Sequence, residues 1–84
     1  MKVEVVKSDD EFLEVKFDED AHTILNLIKR KLLDNKKVTF AGYNKPHPLI
    51  NDSTLIIRTK GENPKTVLKE AVKELQEELK SLML

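Results

Sequence analysis

The chain has 84 residues, enough for a single domain with a small core. Its 15 Lys and Arg balance 15 Asp and Glu, which argues against a dedicated nucleic-acid binder, because such proteins gain most of their affinity from a basic excess set against phosphate. The absence of cysteine excludes disulfides, thiolate nucleophiles and Cys-based metal sites and fits a reducing, cytoplasmic setting.

No apolar run reaches the ~20 residues that cross a bilayer, and the opening Met1-Lys2-Val3-Glu4 has no signal-peptide apolar stretch, so the chain is expected to be soluble. No repeat, low-complexity tract or linker divides it, and residues 1–84 are expected to form one unit.

Residues 2–7 alternate, with Val3 and Val5 on one face and Lys2 and Glu4 on the other. Residues 11–17 repeat the pattern, setting Leu13, Val15 and Phe17 against Glu14 and Lys16. Period two predicts half-buried strands, and Ser8-Asp9-Asp10 between them is turn chemistry, so the pair reads as a hairpin.

The period then lengthens. Over 22–34, Ile24, Leu25, Ile28 and Leu32 share a stripe about 100° wide, which predicts a helix. Leu27 and Leu33 fall outside that stripe and point to a second contact surface. Residues 38–43 read as a third strand with Val38 and Phe40 on one face, continued by Gly42, a residue type that marks a bulge or a close backbone approach inside a strand. Lys45-Pro46-His47-Pro48-Leu49 is a stiff extended loop, and residues 54–59, with Leu55, Ile56 and Ile57, are apolar enough for a central strand.

A last helix is capped by Asn63 and opened by Pro64. Val67, Leu68, Ala71, Val72, Leu75, Leu79, Leu82 and Met83 occupy an arc of about 160° on it. Within that arc Leu68, Val72, Leu75, Leu79 and Leu82 alternate i+4 and i+3 steps, the spacing of a coiled-coil seam. Some 20 residues of helix extend ~30 Å, whereas a typical strand covers ~17–20 Å. The far half of this helix is therefore expected to need a partner.

Catalytic chemistry has little to draw on. His22 and His47 lack the spacing of metal ligands and read as a helix-entry hydrogen bond and a loop anchor. Asp18, Glu19 and Asp20 precede a helix, where acids favour the positive end of its dipole. Gly42 and Gly61 cannot build a phosphate-cradling loop. Base stacking needs exposed aromatics on neighbouring strands, and Phe17 and Phe40 are expected in the core. Lys29, Arg30, Lys31, Lys36 and Lys37 form the only basic cluster. It reads as a solvated face, and it is also the feature behind the alternative function, a free-standing α+β nucleic-acid-binding module.

Two segments carry a family resemblance. His22-Thr23, then Asn26-Leu27-Ile28 with Arg30 behind, is one. Phe40-Ala41-Gly42-Tyr43 leading into Pro46-His47-Pro48-Leu49, followed by a strand ending Arg58-Thr59, is the other. Together they resemble the small alpha-like subunits of DNA-directed RNA polymerases, the subunit L family of archaea and its eukaryotic counterparts. The chain departs from the family pattern where Ala21 separates Asp20 from His22 and where Lys29 precedes Arg30.

The resemblance implies an α+β fold of order β-β-α-β-β-α, a four-stranded antiparallel sheet with both helices on one face. It implies a non-catalytic subunit of a nucleotidyltransferase complex, without cofactor, metal or base-specific nucleic-acid contact of its own. Its partner would be the larger alpha-like subunit of the RNA polymerase, and the heterodimer would be the platform on which the large catalytic subunits assemble. The interface is expected on Ile24, Leu27 and Ile28 of the first helix and on Leu68, Val72, Leu75, Leu79 and Leu82 of the second.

Overall fold

Alternation in sequence becomes a two-sided sheet in space. The structure, a computed structural model, describes residues 3–18, 22–44 and 52–82. Its elements are β1 (Val3–Ser8), β2 (Phe12–Phe17), α1 (His22–Leu33), β3 (Val38–Asn44), β4 (Ser53–Thr59) and α2 (Pro64–Leu82). The four strands form one antiparallel sheet in the order β1-β2-β4-β3, so β4, the most apolar strand, is central as its sequence requires.

Register builds the core. Leu13 on β2, Ile57 on β4 and Ala41 on β3 stand in one row, and Val15, Leu55 and Tyr43 in the next. Onto these rows α1 lowers Leu25, Ile28 and Leu32, and α2 lowers Val67 and Ala71. Leu13, Leu25, Leu32, Leu55 and Ile57 are essentially sealed from solvent, and truncating any one to alanine should cost about 2–5 kcal/mol. The opposite face of β2 carries Phe12, Glu14 and Lys16.

The connection from β4 into α2 is tightly bonded. Gly61 adopts φ +77°, a left-handed conformation that side chains with a Cβ resist. Its N–H donates to the Glu11 carboxylate at 2.9 Å, and the Thr59 hydroxyl donates to the Glu62 carbonyl. Asn63 caps as expected: its Oδ1 accepts the Lys65 N–H at 2.9 Å, and Pro64 begins the helix, where a missing N–H costs nothing.

Two sequence expectations are corrected. Phe40 is not in the core; it lies on the outer face and is 48% exposed. The reason is a bulge between Val38 and Phe40. One extra residue, Thr39, breaks the period of two, so Val38 packs against the core while Phe40 turns outward. Gly42 is not the bulge but the close approach: a Cβ there would sit 3.0 Å from Cζ of Phe40. Ile24 also leaves the core stripe expected for it and is 51% exposed. It sits ~100° around the helix from Leu25, beyond the arc that the sheet covers. A second bulge, between Val5 and Lys7, lies in β1, whose residues are all exposed.

Candidate partner interface

The helices share the covered face, with α1 packed mainly against β3 and α2 against α1, β2 and β4. One cation ties them together. Lys31 of α1 hydrogen-bonds to Glu78 and lies 3.7 Å from Glu74, both on α2. The bond to Glu78, helped by the charges of Glu74 and Asp34, raises the lysine above its ordinary pKa of 10.5.

Past this tie the helices leave an apolar groove. Its α1 wall is Ile24 and Leu27, with Ile28 at the floor; its α2 side is Val72, Leu75, Leu79 and Leu82, and Gln76 and Glu78 supply the polar rim. The groove holds about 380 Å³. Ile28 is buried, and Val72 and Leu75 lean on the core. The walls are open: Leu27 is 41%, Leu79 53% and Leu82 82% exposed.

Geometry explains the overhang. α2 has 19 residues, about 28 Å of helix, while the 6 residues of β2 span about 20 Å. All its buried positions, Pro64, Val67 and Ala71, lie in its first half. Seven of the eight residues expected at an interface come together here. Leu68 does not: it is half-buried against the core, where the sheet still lies beneath α2. Sequence reasoning misses Gln76 and Glu78, which are polar positions on the flank of an apolar seam.

Elsewhere, Nδ1 of His22 lies 2.8 Å from the Tyr43 hydroxyl, with the two rings edge to face at 5.3 Å. Thr23 and Arg30 are exposed, Asn26 is half-buried, and Phe40 lies against Gly42. Pro46, His47 and Pro48, with Glu19, Asp20, Ala21 and Met83, lie outside the described residues. Among the described residues, no group of three or more His, Asp and Glu side chains is placed to hold a metal ion, and no helix is long and apolar enough to cross a membrane.

Residues 13–83 match the model of the RNA polymerase Rpb3/Rpb11 dimerisation domain. The chain belongs to this family. Among similar members, the DNA-directed RNA polymerase subunit Rpo11 of Sulfurisphaera tokodaii is 43% identical over 79 residues, covering 93% of this chain and 84% of that one. The Rpo11 subunit of Korarchaeum cryptofilum is 40% identical over 78 residues, covering 92% and 80%. The crystal structure of the polymerase subunit L of Thermoplasma acidophilum superposes with a TM-score of 0.86 at 23% identity, covering 96% of this chain and 80% of that one. The α+β fold expected from the strand and helix order is thus the fold observed, and the relatives are small subunits of archaeal RNA polymerases.

Proposed function

We propose that the chain is a non-catalytic subunit of a DNA-directed RNA polymerase, the small alpha-like subunit that relatives carry under the names L and Rpo11. It acts as one domain. It pairs through the α1–α2 groove with the larger alpha-like subunit of the polymerase, and the pair serves in the cytoplasm as the assembly platform for the large catalytic subunits. The interface residues are Ile24, Leu27, Ile28, Val72, Leu75, Leu79 and Leu82, with Leu68 bracing α2 from beneath.

The observation that carries this proposal is the exposure of Leu79 and Leu82 at the open end of a groove lined almost wholly by aliphatic side chains. Covering such side chains is worth about 1.5–3 kcal/mol each. A helix pair from a partner, burying on the order of 800 Å² per side, suits the surface. The alternative nucleic-acid module loses support from Lys31, a central cation of the basic cluster, which is engaged by Glu74 and Glu78.

Sedimentation of the purified chain with the larger alpha-like subunit of its host tests the proposal. A one-to-one complex is expected; two species sedimenting independently at micromolar concentration would contradict it.

A further inference from the structure

The face of the sheet turned away from the helices has a composition that the groove does not use. Phe12 and Phe40 both stand opposite Arg58 in register, so β2, β4 and β3 present Phe12, Arg58 and Phe40 as one row. With strands ~4.8 Å apart, the row is about 10 Å long. At one end the Phe40 ring lies over Gly42, which has no side chain to displace it. At the other end two cations share one ring: the guanidinium carbon of Arg58 is 5.0 Å, and Nζ of Lys7 5.3 Å, from the centroid of Phe12.

Lys16 on the same face pairs with Asp52 at 3.2 Å, but among the described residues neither Lys7 nor Arg58 meets a carboxylate at ion-pair distance. A guanidinium stacked on a ring keeps its N–H edge free for a planar carboxylate. Aromatic and arginine side chains at the centre, with lysine and glutamate around them, are the composition of a protein-binding hot spot.

We propose that this outer face is a second protein-docking surface. It takes a segment that presents a carboxylate between two apolar side chains, the carboxylate on Arg58 and Lys7 and the apolar groups on Phe12 and Phe40. Nucleic acid fits it less well. Glu4 and Glu14 lie opposite Lys16 and Lys7 on the same face, and with Asp52 they cancel its positive charge, whereas phosphate backbones are held by a basic excess. The surface is independent of the groove, which opens on the other side of the molecule.

The test is a titration of the full isotope-labelled chain, followed residue by residue by NMR. The probes are acetyl-Leu-Ala-Glu-Ala-Leu-amide, the same peptide with glutamine in place of glutamate, and decathymidylate. The acidic peptide should give saturable shifts centred on Phe12, Phe40 and Arg58. Affinity should fall about tenfold with the glutamine peptide, and equally for the Arg58→Gln chain with the acidic one, because a charge-assisted pair is lost in both. If Arg58→Gln does not fold, the two peptides still decide the matter on the wild-type chain. Equal affinity for both peptides, shifts confined to groove residues such as Leu79, no saturation, or tighter binding of decathymidylate at this face would each overturn the proposal.

Discussion

His22, the first residue of α1, and Tyr43, the second-last of β3, meet through a 2.8 Å contact between imidazole Nδ1 and phenol. The pair ties the start of the helix to an edge strand that is otherwise held on one side only. Tyr43→Phe keeps the edge-to-face ring contact and removes the hydrogen bond. At an exposed site the loss should be at the low end of the usual range, about 0.5–1 kcal/mol. For a domain of this size that is a fall in Tm of roughly 2–8 °C, measurable by circular dichroism, with the fold unchanged.

The two glycines should respond differently to alanine. Gly61 sits at φ +77°, so Gly61→Ala is strained wherever its Cβ points and should cost about 1–2 kcal/mol. Gly42 has ordinary backbone angles, and its new Cβ would meet only the outer end of the Phe40 ring, which can swing away. Gly42→Ala should cost less than about half as much. Urea denaturation of both variants distinguishes the two cases.

Lys31 supplies a pH-dependent tie between the helices. Because its folded-state pKa is raised by Glu78 and then Glu74, its contribution is fully present below the ordinary value of 10.5 and is lost as pH climbs through the higher folded value. The stability difference between wild type and Lys31→Met should therefore be constant from neutrality to about pH 10 and shrink above that. A difference that instead vanished on acidification toward pH 6 would contradict the assignment.

How much of this can be read in the chain depends on the local period. Leu13, Val15 and Phe17 alternate without interruption, and their burial follows from that alone. The seam on α2 is equally plain, because eight apolar residues recur at helical spacing and no strand is long enough to cover the last ones. Phe40 escapes such a reading because a bulge has no composition of its own: Thr39 is an ordinary strand residue, and only pairing with β4 reveals it as the extra one. The row of Phe12, Arg58 and Phe40 is invisible for the same reason, since it exists only once register sets three distant segments side by side. Ile24 escapes it too, because an apolar stripe shows which residues avoid water but not which neighbour, sheet or partner, covers them.

The central claim, that the α1–α2 groove is where the chain meets its partner, is tested most directly by the affinity of Leu75→Glu for the larger alpha-like subunit. Leu75 lines the groove and leans on the core. A carboxylate covered there without a counter-charge costs several kcal/mol beyond the lost leucine contact, worth roughly 1.5–3 kcal/mol. Isothermal titration should show pairing weakened by at least about a hundredfold. Lys73→Glu, on the exposed side of α2, should change it by less than about threefold. Circular dichroism must first show that the Leu75→Glu chain folds, and Leu79→Glu, at a more exposed position on the same groove, carries the test if it does not. Folded variants that bind the larger subunit as tightly as wild type would contradict the account.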